Sequence, residues 1–171
     1  MSLARVPFLS FSGDVMKNGR TKYNVSRKKE ERTFGGIVFA SKLEMEYYRD
    51  VVLPAMEAGE ITKCILQPQY ELQPGFRRDG KWVRPIIYVA DFYLEYSDGH
   101  DLVVDIKGRA DSVAPLKRKL FWYKYPEQNY QWLTYVKKYG GWITWEYANA
   151  QRRAAKKKRT KCAKGAERKE A

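Results

Sequence analysis

Asp105 and Lys107 are the residues whose types and spacing first suggest chemistry in this sequence. They lie two positions apart in the segment LVVDIKG, which is typical of a β-strand. Because side chains alternate between the faces of a strand, these two point the same way, and Leu102, Val104 and Ile106 point into the core. A carboxylate and an ammonium group on a strand with a buried opposite face are rigidly mounted for chemistry.

Asp91 is the second carboxylate of interest, because a hairpin would bring it to Asp105. A three-residue loop at 97–99, with Gly99 left-handed, places Asp91 directly opposite Asp105. Two such carboxylates repel each other unless a cation or a proton lies between them, and Mg²⁺ suits hard oxygen ligands. A two-residue turn would put the two side chains on opposite faces. The pattern leaves the loop length open, although the alignment of apolar residues favours three.

Glu44 is the third carboxylate, and it has two interpretations. With Ser41 it forms the pattern Ser-x-x-Glu of a capping box, in which its carboxylate would bond back to the Ser41 amide. It also lies on the helix face of Tyr48, Val51 and Ala55, which points toward the core or a cleft. A metal ligand and a helix cap are both open interpretations of Glu44.

The two aspartates also have structural alternatives. Asp91 would pair with an arginine such as Arg84 or Arg109, and Asp105 with Lys107 would form an ordinary ion pair. Asp-x-Lys alone is a very common pattern. Its value here comes from a second Asp 14 residues upstream across a predicted hairpin, with a glutamate-bearing helix before both.

The elements that must position these residues follow from periodicity and turn signals. Apolar spacing and the Ser41 cap predict a helix that ends around 57–59. The remaining predicted elements are a short strand at 34–40, an extended run at 61–72 that Pro68 breaks, strands at 82–96 and 101–107, a helix at 115–125, a strand at 130–136 and a final helix at 143–158. The predicted fold class is α/β, with a mixed four-stranded sheet flanked by helices in the order α-β-β-β-α-β.

Composition excludes several kinds of site and locates the charge. With two Cys and one His in 171 residues, the chain cannot build a Cys₂His₂ or Cys₄ zinc site, and we expect a reducing, cytoplasmic location. No apolar run is long enough for a membrane span. The net charge of +13 divides into +5 for residues 1–33, zero for 34–150 and +8 for 151–171. Two basic arms around a neutral core favour a polyanionic partner, with a solvated tail as the alternative.

The order of the acidic residues and elements resembles the PD-(D/E)XK nuclease superfamily. Five segments are similar to a group of small, resolvase-like, phage-borne proteins in it, namely FASKLE, LQPQYELQP, YVADF, VVDIKG and LKRKLFWYKYP. The resemblance covers roughly residues 22–136. One departure is Ala90, which stands where the superfamily name has proline.

The resemblance implies a PD-(D/E)XK, restriction-endonuclease-like core in residues 34–150 and hydrolysis of DNA phosphodiesters with Mg²⁺, or Mn²⁺ as a substitute. Glu44, Asp91 and Asp105 match the acidic metal ligands, and the Ile106 carbonyl matches a further ligand. Lys107 matches the lysine that positions the attacking water or stabilises charge on the phosphate. This chemistry needs no histidine base.

Basic residues on two helical segments are candidate DNA contacts. The first set follows the Asp-x-Lys strand, and the second lies in the C-terminal tail. They are Lys117, Arg118, Lys119 and Lys124, then Arg152, Arg153, Lys156, Lys157, Lys158 and Arg159. Each is open to a second interpretation as part of a solvated helix face.

The resemblance therefore predicts an endonuclease of phage recombination or replication in the host cytoplasm. We prefer a Holliday-junction-resolvase-like enzyme, selective for branched DNA and acting as a homodimer. An exonuclease or a nicking enzyme would use the same site. A nucleic-acid-binding module without catalysis is the second class, and an interaction protein that docks through residues 130–147 is the third.

Overall fold

The computed structural model of the protein describes residues 28–108 and 112–167, and the side chains within that range up to residue 157. Most of the predicted N-terminal arm, together with Arg109, lies outside this range. The strands are β1 (Thr33–Phe34), β2 (Ile37–Val38), β3 (Ile61–Leu66), β4 (Gln69–Gln73), β5 (Phe76–Arg78), β6 (Lys81–Val83), β7 (Ile86–Val89), β8 (Phe92–Tyr96), β9 (Asp101–Ile106), β10 (Tyr130–Val136) and β11 (Gly141–Thr144). The helices are α1 (Lys42–Tyr47), α2 (Leu53–Glu57), α3 (Ala114–Lys124) and α4 (Trp145–Glu167).

A mixed five-stranded sheet forms the centre of the fold, in the order β11-β10-β9-β8-β3. β9 and β10 are parallel, with α3 as the crossover, and the other neighbours are antiparallel. The predicted α/β class and mixed sheet are confirmed, but the number of strands was wrong. After β10, a 3-10 turn ends at Gly140 with φ 89°, which reverses the chain. β11 can therefore pair back onto β10 where we expected a break and then a helix.

A long two-stranded ribbon leaves this sheet. β3 pairs with β8, β4 pairs with β7, and β5 pairs with β6, all antiparallel. The ribbon bends where Gln67, at φ 50°, donates its N–H to the carbonyl of Asp91 at 3.0 Å. The run predicted as one strand over 82–96 is thus three strands, β6, β7 and β8.

The first helix is continuous but irregular. α1 begins at its N-cap Ser41, and a π-helical turn at Tyr48–Val52 joins it to α2. Pro54 has no N–H to donate to the carbonyl of residue 50, and its ring would clash with that carbonyl in a regular helix. The widened π turn relieves this conflict. The predicted strand at 34–40 is instead a small hairpin, in which β1 and β2 turn at Gly35 and Gly36.

Apolar side chains cover both faces of the sheet. The α1 and α2 side buries the cluster Phe39, Met45, Tyr47, Val52, Ile61, Phe92, Leu94, Val104 and Ile106. The α3 side buries the cluster Leu72, Tyr88, Ala90, Val103, Phe121, Tyr130 and Trp132. β9 contributes to both clusters, so its position and orientation are tightly fixed.

The last helix, α4, runs from β11 into the basic C-terminal segment. It spans 23 residues, beginning two residues later than the predicted helix at 143–158 and continuing to Glu167 through the predicted basic tail. Among residues 28–108 and 112–167, no helix combines the length and apolar character needed to cross a membrane.

Candidate active site

The hairpin between β8 and β9 brings Asp91 and Asp105 together. Its loop is Ser97-Asp98-Gly99, with Gly99 at φ 89° and the Tyr96 N–H bonded to the His100 carbonyl at 2.9 Å. Phe92 pairs with Val104 in this register. The three-residue loop is therefore confirmed, and Asp91 and Asp105 lie directly beyond this last pair, at the same end of the hairpin.

Asp91 occupies the bend at which the ribbon leaves the sheet. Its N–H donates to the Val104 carbonyl at 3.1 Å, and its Oδ2 accepts the Ile106 N–H at 2.6 Å. Arg84, one expected partner, is exposed on the ribbon, and within the described residues Asp91 forms no ion pair. Asp91 is therefore fixed by the backbone of β9.

Asp105 is the most buried carboxylate of the site, with 1% of its surface exposed. Its Oδ1 accepts the Lys107 ammonium at 2.5 Å, and its Oδ2 accepts the Tyr88 hydroxyl. The single Tyr88 proton goes to Asp105, so the Tyr130 hydroxyl, which contacts the Tyr88 oxygen, is the donor in that bond. The Trp132 indole N–H in turn donates to Tyr130. A hydrogen-bonded chain thus holds Asp105 from the α3 side.

Lys107 is the cation of the site. It follows the end of β9, where its N–H donates to the Leu133 carbonyl at 2.8 Å. Its ammonium lies 5.5 Å from the centre of the Trp132 ring, and 21% of its side chain is exposed. The positive charge of Lys107 is therefore partly accessible to solvent while it pairs with Asp105.

Glu44 lies in the first turn of α1, where it is buried. The Ser41 hydroxyl accepts the Glu44 N–H at 3.2 Å, which is half of the capping box. The Glu44 carboxylate accepts the N–H of Ala40 at 3.2 Å, one residue earlier than the box predicts. Glu44 thus helps to fix the helix start, and the other oxygen of its carboxylate takes no part in that bond.

The three carboxylates interact electrostatically. Burial raises the pKa of Asp91 well above its ordinary value, and the negative charges of Asp105 and Glu44 raise it further. Burial also raises the pKa of Glu44, against its bonds to Ser41 and Ala40, and the charge of Asp105 adds to the increase. A cation or a shared proton would relieve this repulsion.

The donor set suits a hard divalent cation, but this conformation does not form a ready metal site. Among the described residues, no group of three or more His, Cys, Asp or Glu is placed to hold an ion. Both oxygens of Asp105 accept side-chain bonds, and one oxygen each of Asp91 and Glu44 accepts a backbone N–H. A cation there would be held by Glu44, Asp91, Asp105 and the Ile106 carbonyl, in competition with Lys107 for Asp105.

The basic residues predicted on α3 make mostly internal contacts. Lys117 donates to the Ile87 carbonyl at 3.0 Å, and Lys124 lies 3.4 Å from Glu71. Arg118 stacks on Trp122 and Trp132, pairs with Glu146, and keeps only 13% of its side chain exposed. Lys119 is exposed.

The basic residues predicted on α4 lie along its outer part. Arg152, Arg153, Lys156 and Lys157 are exposed, and the Arg152 guanidinium lies 5.2 Å from the Trp145 ring centre. Lys158 and Arg159 belong to the helix, but their side chains lie outside the described part of the chain.

Sequence reasoning missed the chain of hydroxyl and indole groups behind Asp105. Tyr88 comes three residues before Asp91, and Tyr130 and Trp132 alternate along β10. Only the parallel pairing of β10 with β9, which sets Trp132 opposite Asp105, joins them. The alternation of aromatic residues on β10 was the one available signal.

Comparison with known proteins gives a family. A search of the curated proteins finds no match. A family model described as "protein of unknown function (DUF1064)" matches residues 20–141, which include Glu44, Asp91, Asp105 and Lys107 and exclude α4. That match spans most of the sequence, and the chain belongs to the DUF1064 family.

Proposed function

We propose that the protein is a metal-dependent deoxyribonuclease that hydrolyses phosphodiester bonds at the site formed by Glu44, Asp91, Asp105 and Lys107. The observation that carries the proposal is their convergence. The four residues meet at one end of β9, although they come from the start of α1, the bend of the ribbon and β9 itself. The charge of Asp105 raises the pKa of both Glu44 and Asp91, and Lys107 pairs with Asp105.

Each residue has a role that its environment supports. The carboxylates and the Ile106 carbonyl would bind a divalent cation, which when bound lowers the pKa of the attacking water and polarises the phosphate. Lys107 is partly exposed, so its ammonium can approach the negative charge that develops on the phosphate. His100 stacks on Tyr96 five residues before Asp105, about 16 Å along the strand, and takes no part.

The proposed substrate is branched DNA, cut in phage recombination or replication in the host cytoplasm. The net charge of +13 and the exposed basic residues of α4 support a polyanionic substrate. A four-way junction has two-fold symmetry, so the proposed acting form is a homodimer. The assignment of the fold to the PD-(D/E)XK superfamily is part of this proposal.

A cleavage assay tests the site and the substrate together. Purified protein is incubated with a labelled four-way junction, the matching duplex and a single strand, in Mg²⁺, Mn²⁺ or EDTA. We expect metal-dependent cutting of the junction that is lost in Asp105→Asn and Lys107→Met. Glu95→Gln is the matched control, because among residues 28–108 and 112–157 the one ion pair of the Glu95 carboxylate is an exposed pair with Lys63 at 3.5 Å. Equal cutting of all three DNAs would refute the branched substrate and retain the site.

A nucleic-acid-binding module without catalysis is the second candidate. It is favoured by the engagement of both Asp105 oxygens and by the lack of a ready metal-binding group among the described residues. It predicts salt-sensitive DNA binding, no cutting with any metal, and no effect of Asp105→Asn on affinity. Cutting by the unmodified protein that requires Asp105 would exclude it.

A further inference from the structure

The end of the long ribbon is an exposed hairpin formed by β5 and β6. Its two-residue turn, Asp79-Gly80, has φ values of 50° and 73°, as the type I′ turn of a twisted hairpin requires. The two strands pair only with each other and stand apart from the five-stranded sheet. Packing of β4 on α3, through the rings of Tyr70 and Phe121 at 4.9 Å, fixes the base of the ribbon.

This hairpin is strongly basic. Arg77, Arg78, Lys81 and Arg84 are all exposed, and Asp79 is the only acidic residue between positions 74 and 85. The net charge of residues 74–85 is +3. Because residues 34–150 together have no net charge, the rest of that range carries −3. Arg78 pairs with Asp79 at 3.6 Å, and the other three cations form no ion pair within the described residues.

Trp82 is held in an exposed position at the centre of this charge. It remains 60% exposed, far more than a core tryptophan, and its strand neighbour across the hairpin is Arg77. The end of its indole ring lies over Gly75, where an added Cβ would be 2.3 Å from Cζ2. The glycine thus leaves the space in which the ring rests, while the rest of the ring is available to a ligand.

We infer that this hairpin binds DNA where the duplex is interrupted, with Trp82 stacking on an exposed base and the flanking arginines and lysine contacting phosphates. An aromatic ring among cations is the combination that binds unstacked bases. Asp91 comes nine positions after Trp82, so their Cα atoms are at most about 32 Å apart. This is less than one turn of B-DNA, about 34 Å, so one DNA molecule reaches both. The inference rests on the proposed function for its choice of DNA.

Binding measured without cleavage tests the inference. Fluorescence anisotropy in EDTA compares a labelled four-way junction with a duplex of equal length. Stacking on one base predicts that Trp82→Ala weakens junction binding roughly 5- to 150-fold and duplex binding less than twofold. Tyr135→Ala is the matched control, since Tyr135 is another exposed aromatic residue, on a strand of the main sheet. We expect it to leave both affinities unchanged.

Gly75→Ala is a second, sharper variant. Gly75 is not in the left-handed region, so its backbone accepts alanine, but the new methyl group must displace the Trp82 ring. Every charge and the indole itself remain, so a loss of junction binding in this variant would show that the ring position matters. Thermal unfolding of both variants should match the unmodified protein because the hairpin lies outside the core.

The outcomes separate this inference from the proposed nuclease. If Trp82→Ala binds the junction as the unmodified protein does, or loses duplex binding equally, the inference is overturned, even where cleavage is observed. Unchanged binding to every DNA would leave the hairpin as a surface for an acidic protein partner. Selective loss of junction binding in a protein that never cuts DNA would support the hairpin and refute only the nuclease.

Discussion

Removal of the Tyr88 hydroxyl is a direct test of how Asp105 is held. In Tyr88→Phe the ring keeps its contacts with Phe121 and Tyr130, whose ring centres lie 5.7 and 5.8 Å away. Oδ2 of Asp105 loses its nearest donor, and the Tyr130 hydroxyl, whose proton no longer goes to Tyr88, is the next donor at 3.4 Å. Burial and the charge of Asp105 raise the Tyr88 pKa far above its ordinary value, so Tyr88 donates at every usable pH.

The magnitude follows from the burial of the acceptor. A hydrogen bond to a charged group contributes about 1.5–3 kcal/mol, and the acceptor here has almost no access to water that could replace it. We therefore expect the free energy of unfolding to fall by about 2 kcal/mol. For a domain of this size the melting temperature then falls by roughly 4–8 °C.

Urea and thermal unfolding, followed by circular dichroism, measure this loss. Tyr93→Phe is the matched control, because its hydroxyl donates to Asp101 at 3.2 Å in a half-exposed position. That change should cost less than about 0.5 kcal/mol. In an Asp105→Asn background the cost of Tyr88→Phe should fall to about 1 kcal/mol, since the bond becomes neutral. Equal losses for the two tyrosines, or no change in the Asn background, would refute the reasoning.

Two further predictions use the raised pKa values. The folded-state pKa of Asp91 is above its unfolded value, so the stability contributed by the protonated carboxyl group is lost as pH rises through that pKa. Asp91→Asn should therefore raise the melting temperature, and more at pH 8 than at pH 5. Glu46→Gln is the control and should not raise it, because Glu46 is only partly buried and pairs with the exposed Lys42 at 3.6 Å. A lower melting temperature at pH 8 would contradict this. Burial raises the pKa of Cys64 to about 12, so in Cys162→Ser protein its thiol should react with iodoacetamide at pH 8 roughly 10³-fold more slowly than after unfolding. Equal rates would show that the thiol is not buried.

Local signals in the sequence predicted the helix that carries Glu44 and the strand that carries Asp105 and leads to Lys107, but not the bend at which Asp91 lies. Ser41 predicts the start of α1 because its hydroxyl satisfies a free N–H at the helix end. Gly99 is compatible with a three-residue loop between β8 and β9, because a left-handed residue closes that turn without strain, and the apolar faces favoured that length over a two-residue turn, which the sequence left open. Once that loop is fixed, strand geometry sets Asp91 opposite Asp105. The DNA substrate and the metal remain predictions.

The sequence determined the start of α1 and the position of the β8–β9 turn because each depends on residues within a few positions of one another. Only the tertiary structure decided the features that depend on pairing between strands, such as β10 with β11 and β9 with β10. Gly140-Gly141 suits both a break and a reversal, and only the free edge of β10 makes β11 a fifth strand. Trp132 and Tyr130 reach Asp105 only because β10 lies parallel to β9 after the α3 crossover. Periodicity identifies the face on which a side chain lies, whereas the neighbour on that face is set by packing between strands far apart in the chain.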